Sequence, residues 1–251
     1  MPAQPHPHFE KPPLVEAVFE LFAQPRAEPS NGGGSVDTVF HQLPTYAHHP
    51  QVVGQFQVQI PVIAGPPPSA RLVNPAKRQW TEDRTRGALV GPGMLALNML
   101  PPYTTFDDEA PRLRELLVAY LDVFRPIAPF SLGHRYINRV VLDVPNDDPP
   151  SALFTLYPRL PESGVAHRPV TVQVEAARFH NGVVVANLAL AAVDTSHAAY
   201  VLDIYARTTD PAPDVVDEIL AWHREAHEQV VNAFLFAITP RARERFEEKY
   251  P

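Results

Sequence analysis

Between Ser131 and Val144 the chain reads SLGHRYINRVVLDV, and alternation divides this run into two faces. Leu132, His134, Tyr136, Asn138, Val140 and Leu142 share one face. Gly133, Arg135, Ile137, Arg139, Val141 and Asp143 share the other. β-Branched residues at Ile137, Val140, Val141 and Val144, with Pro129 before them and Pro145 after, predict a long central strand. Its polar content is high for that position. Burying a neutral polar group without a partner costs roughly 2–7 kcal/mol, and a charge more. The strand therefore needs polar company from elsewhere in the chain.

Similar patterns predict the other elements. Leu14–Ala23 alternates as a strand bracketed by prolines, and residues 24–35 (QPRAEPSNGGGS) form a loop. Gln51–Val62 sets Phe56, Val58 and Ile60 against glutamines, a half-buried strand. GPPPS at 65–69 reads as a turn, Lys77–Thr81 with Gly87–Val90 as a hairpin, and Met94–Leu100 as a strand. Leu113, Leu116, Leu117, Tyr120, Leu121 and Phe124 recur at helical spacing and predict a helix over 108–124, capped by Thr105 or Asp107. Residues 145–169 are a loop rich in Pro and Ser. Val170–Phe179 and Val183–Ala191, joined by His180-Asn181-Gly182, predict a hairpin. Tyr200–Thr208 is a further strand, residues 213–238 the longest helix and Arg241–Lys249 a short terminal one.

Strands followed by a helix, twice over, imply an α+β fold: mostly antiparallel sheet with two long helices packed on one side. Residues 1–13 are an extended lead-in and 14–251 a single α+β domain. The repeated order suggests two halves, 14–126 and 127–251, related by duplication, although no residue-level identity links them.

Composition narrows the function classes. The chain has 251 residues, 45% hydrophobic and 20% charged, as an ordinary globular protein does. A net charge of −7 gives no bulk attraction to phosphate backbones or anionic lipid, so nucleic acid is disfavoured as a partner despite Arg241, Arg243 and Arg245. No cysteine is present, which removes disulfides and thiolate chemistry and suits a cytoplasmic location. No apolar run reaches the roughly 18–20 residues of a membrane helix, and the first residues lack the apolar region of a signal peptide.

Two constellations stand out. Glu16 and Glu20 lie four residues apart on the first strand, as Arg135 and Arg139 do on the central one, each pair on one face and about 13 Å apart. If the strands are neighbours, an acid–base ladder fixes their register, or a partly neutralised Arg135 serves as an anion site. His223 and His227 stand in the apolar stripe of the last helix. HREAH is not the zinc-protease pattern, because Arg224 occupies the place of its Glu. The two histidines are expected to hydrogen-bond to the sheet, at Tyr136 or Asn138. Asn98 and Tyr103 form a helix-start motif. No catalytic set, phosphate loop, metal site or cofactor fingerprint is recognised.

KPPLVEAVFEL (11–21), LALNMLPPY (95–103), HRYINRV (134–140) and WHREAHEQVVNAFLFAITPRARERF (222–246) together resemble a bacterial family known only as the "sporadically distributed protein" family. The matches span essentially the whole chain, and PPLVEAVFE with RYINR is the more specific pair. Phe106 departs from the Trp expected a few residues after the PY. The resemblance implies no activity, but it marks Glu16, Asn98, Tyr103, Arg135, Asn138 and His227 as motif positions.

The expected function is therefore a cytoplasmic, non-enzymatic binding or accessory protein. Its partner is another protein or peptide, met at a sheet edge or a proline-rich loop, and a homodimer is a further option. Sporadic occurrence suits, by analogy, a mobile or defence-type gene cluster. The alternative is an enzyme or small-ligand sensor with a polar pocket between the sheet and the C-terminal helix.

Overall fold

The computed structural model describes residues 7–24, 35–59, 69–103, 105–143, 148–158, 170–193 and 196–249. In chain order the strands are β1 (His8–Phe9), β2 (Leu14–Gln24), β3 (His48–Gln59), β4 (Ser69–Trp80), β5 (Arg86–Gly91), β6 (Met94–Met99), β7 (Ala128–Asp143), β8 (Thr171–Phe179), β9 (Gly182–Val193), β10 (His197–Thr208) and β11 (Glu248–Lys249). The helices are α1 (Val36–His41), α2 (Phe106–Phe124), α3 (Pro150–Leu153), α4 (Val216–Ala237) and α5 (Pro240–Arg245), with a 3-10 turn at Pro44–Tyr46. The protein is α+β. Nine strands form an antiparallel sheet in the order β3-β4-β5-β6-β2-β7-β10-β9-β8, and β1 pairs with β11.

Two compact units divide the chain. One comprises Met1–Ala17, Gly133–Asp210 and Ala221–Pro251; the other comprises Val18–Leu132 and Pro211–Leu220. They are called here the histidine unit and the cleft unit. In the cleft unit the chain runs through β2, crosses to the outermost strand β3, and returns through β4, β5 and β6 to β2's side before entering α2. In the histidine unit it runs through β7, crosses to the outermost strand β8, and returns through β9 and β10 before entering α4. Both paths go out to the edge strand and return strand by strand to a helix, through five strands in the cleft unit and four in the histidine unit.

In the cleft unit, α2 buries Leu113, Leu116, Leu117 and Tyr120, the stripe its spacing requires. Thr105 caps it by accepting from the Asp108 N–H at 3.2 Å. Phe106 begins the helix and sets its ring edge-on to Phe19 of β2, centroids 5.4 Å apart. Tyr120 donates to the Pro92 carbonyl at 3.1 Å, and burial pushes its pKa up to about 12.

In the histidine unit, β7 sorts its side chains as alternation requires. Leu142, Val140, Asn138, Tyr136 and His134 are buried, whereas Arg139, Val141 and Asp143 are exposed. Against the buried side stand Tyr200, Leu202, Ile204 and Ala206 of β10, Val184, Ala186 and Leu188 of β9, and Trp222, Ala226, Val230, Ala233 and Phe234 of α4. Phe154 and Tyr157 add rings to Tyr200 at 5.8 and 6.1 Å.

The end of the lead-in is held by the last described residues: Phe9 packs on Phe234 and Phe246, and His8–Phe9 pair with Glu248–Lys249. Several other expectations need correction. The terminal helix stops at Arg245, where a strand takes over. Pro150–Leu153 is helical inside the expected 145–169 loop, and Val36–His41 and Pro44–Tyr46 are helical too, all three too short for any periodicity to show. The strand at Gln51–Val62 begins at His48 and is described to Gln59; Ile60–Val62, most of GPPPS and 25–34 lie outside the described residues.

Between β8 and β9 the connection is His180-Asn181, with Gly182 already paired to Phe179. Asn181 takes the left-handed conformation at φ 54°, a position that asparagine tolerates. Gly182 is required for space: a Cβ there would stand 2.1 Å from the Phe179 ring.

Candidate functional site

β7 carries three polar side chains into the histidine unit. Asn138 is 3% exposed and donates to the Leu202 carbonyl at 3.1 Å. The Tyr136 hydroxyl lies 2.8 Å from His227 Nδ1, a polar contact that joins the strand to α4. His134 is fully buried, and its Nδ1 faces Nδ1 of His223, also buried, at 3.5 Å. Facing nitrogens at that distance require complementary tautomers, one bearing hydrogen and one bare.

Burial holds both rings neutral. The His223 pKa is pushed down to about 3 by desolvation. His134 is held well below 6.5 by desolvation first, then by repulsion from His223 and His227. Among the described residues no group of three His, Cys, Asp or Glu side chains is arranged to hold a metal. His134 and His223 form a neutral polar plug between sheet and helix.

On the opposite face of β7, Arg135 makes a fork with Asp203 of β10. Nε and Nη2 donate to Oδ1 and Oδ2, each at 2.7 Å. The pair is diagonal in the ladder, Arg135 standing opposite Tyr205 and Asp203 opposite Ile137. Strand order sets β2 beside β7, and the Arg139 N–H reaches the Pro13 carbonyl at 2.8 Å. Glu16 and Glu20 are half-buried and the Arg139 side chain is exposed. Asp203, the acid clamping Arg135, was not singled out in the sequence, although it is the one charge inside YVLDIY.

α4 meets this sheet on its buried face, at Tyr136 and His134, and the other is its outward face. Across β7, β10, β9 and β8 it presents the rows Arg139–Val201–Ala189–Thr171 and Ile137–Asp203–Asn187–Gln173. β8 is the last strand. The Leu190 N–H donates to the Val170 carbonyl at 3.1 Å, so the pair Val170/Leu190 is hydrogen-bonded and Thr171/Ala189 is not. Alternation then turns the backbone N–H and C=O of Thr171 and Gln173 away from β9, towards the open edge.

The cleft unit holds a second arrangement. Arg86 and Glu109 are buried together. Arg86 Nε and Nη2 donate to Glu109 Oε1 at 2.9 and 2.5 Å, Nη1 to the carbonyls of Thr85 and Leu100, and Nη2 also to that of Pro102. Every donor of the guanidinium is used. Glu109 Oε2 accepts from Arg112 at 3.2 Å. Arg86 and Arg112 border an open cleft of about 730 Å³, lined also by Thr45, His48 and the turn between β4 and β5. One signal for this pair is present in the sequence: Glu109 falls on the apolar stripe of α2, four and seven residues before Leu113 and Leu116. Asn98 is buried on β6 opposite Gly87, and Tyr103 is half-buried just before the Thr105 cap.

The fold and these sites define an α+β protein with an antiparallel sheet, a neutral histidine plug in one unit and an ion-paired cleft in the other. No helix among the described residues is long and apolar enough to cross a membrane. No family model matches the chain, and neither does any curated protein.

Proposed function

We propose that the chain is a binding protein that takes an extended segment of a partner protein or peptide as an additional strand on β8. The observation that carries this is the direction of the backbone at Thr171 and Gln173, whose donors and acceptors point to the free edge. No backbone hydrogen bond from another described segment reaches either residue. Strand addition supplies affinity through such main-chain groups, and alternate side chains supply selectivity. Here the selecting residues on one face are Thr171, Gln173 and Glu175, all exposed, so a segment with polar side chains on that face fits.

The bulge between Glu175 and Ala177 ends the available edge after about five residues, as edge-protecting bulges do. The resemblance to the sporadically distributed family brings no activity to this reading, which rests on the geometry of the edge alone.

Selection of displayed peptides against the intact chain, followed by amide hydrogen exchange with a selected peptide bound, tests it. Slowed exchange at Thr171 and Gln173 is expected. Selection that enriches no peptide, or peptides that leave those two amides unchanged, overturns it.

A further inference from the structure

The cleft unit carries an inference independent of the strand edge. Two guanidiniums, Arg86 and Arg112, share the single carboxylate of Glu109, which leaves one positive charge in excess. Arg86 has no donor to spare. The surplus is expressed at Arg112, whose side chain is 47% exposed and whose remaining N–H groups have no partner among the described residues. Behind it the Tyr46 hydroxyl is buried without a hydrogen-bond partner, in the field of Arg112 and Glu109.

The other wall has the opposite character. The turn between β4 and β5 presents Glu82, which makes no hydrogen bond to a described residue, and Asp83. The Asp83 carboxylate accepts from Thr81 Oγ1 at 2.6 Å and from Thr85 N and Oγ1 at 3.0 and 2.8 Å. Those hydrogen bonds fix its orientation and keep it charged.

A plain anion would be drawn to Arg112 and repelled by the acidic turn; a dication would meet the reverse. We infer that the cleft between Arg112 and the Glu82–Asp83 turn binds a zwitterion, its carboxylate on Arg112 and its ammonium on the acidic turn. A volume of about 730 Å³ admits such a molecule up to the size of a short peptide. Arg112 suits the carboxylate because its planar fork offers two parallel donors, whereas the ammonium needs only a dense negative field.

Titration calorimetry on the full chain tests this with three matched probe series of graded length: ω-amino acids, α,ω-diacids and α,ω-diamines. At the length that spans the cleft, the ω-amino acid is expected to bind at least about tenfold (about 1.4 kcal/mol) more tightly than the diacid or diamine of that length. Arg112→Gln is expected to remove the preference. Glu82→Gln, on an exposed turn, is expected to weaken the ω-amino acid and strengthen the diacid. Thermal melts of both variants check that the fold is kept. The inference is overturned if no ω-amino acid binds at millimolar concentration, if a diacid or diamine binds as well, or if the preference survives in a folded Arg112→Gln or Glu82→Gln protein.

Discussion

Arg86 and Glu109, 23 positions apart in the chain, form an ion pair with both side chains almost wholly withdrawn from water, at 10% and 2% exposure. The pair also organises backbone, because Arg86 satisfies the carbonyl of Thr85 beside it and those of Leu100 and Pro102 in the approach to α2. Removing one partner strands the other. Glu109→Ala is therefore expected to destabilise the chain by about 3–5 kcal/mol in urea titrations. Arg112→Gln, touching only the half-exposed partner of Glu109, is expected to cost about 1 kcal/mol or less. Equal costs would contradict the distinction between the two arginines.

The histidine plug makes stability depend on acid. His223 has its pKa lowered to about 3, and His134 is held well below 6.5. As pH falls below 6.5 the unfolded chain takes up protons that these folded rings refuse. Stability is thus fully present above 6.5 and is lost on acidification, by up to about 1.4 kcal/mol per pH unit for each ring. Urea midpoints measured from neutral to mildly acidic pH should show this slope, and His223→Gln should flatten it. A slope unchanged in that variant would show that the proton uptake lies elsewhere.

Arg135 and Asp203 are a lesser case. Their side chains are 40% and 16% exposed, so water already solvates part of the pair. The coupling energy from the double-mutant cycle Arg135→Ala with Asp203→Ala is expected to be about 1 kcal/mol. A folded Arg135→Ala protein is the corresponding qualitative result; unfolding would mean that Arg135 is as deeply committed as Arg86.

Gly182→Ala drives a methyl group into the Phe179 ring and is expected to cost about 1–3 kcal/mol. In a Phe179→Leu background the same substitution should cost much less, because the obstructing ring is gone. A cost that persists there would assign the glycine's role to backbone conformation.

Prolines on β8 separate its two edges. Val172→Pro removes a ladder hydrogen bond to β9 and should lower stability by about 1 kcal/mol or more. Gln173→Pro loses only an outward N–H and should be milder, while blocking capture of a peptide strand. Thermal melts of the two variants, with peptide binding measured on Gln173→Pro, check both statements.

Much of this was readable in one dimension. A period of two put His134, Tyr136 and Asn138 on the buried face of β7, and the helical spacing of Leu113 through Phe124 marked the packed side of α2, because both periodicities are properties of local backbone geometry. The position of His223 and His227 within the stripe of α4 followed likewise. Asp203, His134 as the partner of His223, and the pairing of Arg86 with Glu109 could not be read in this way. Each joins segments separated by 23 to 89 positions, and charge pattern alone does not choose among the available partners.

The amino-acid sequence by itself determined the α+β class, the alternation of the long strand and the need of its polar residues for company, since these follow from side-chain chemistry and repeat length. Only the folded chain decided who answers that need. Ladder register sets Asp203 diagonally beside Arg135, the docking of α4 brings His223 over His134, and strand order leaves Thr171 and Gln173 facing outward. Such choices depend on how distant segments lie against one another, and no local period encodes that.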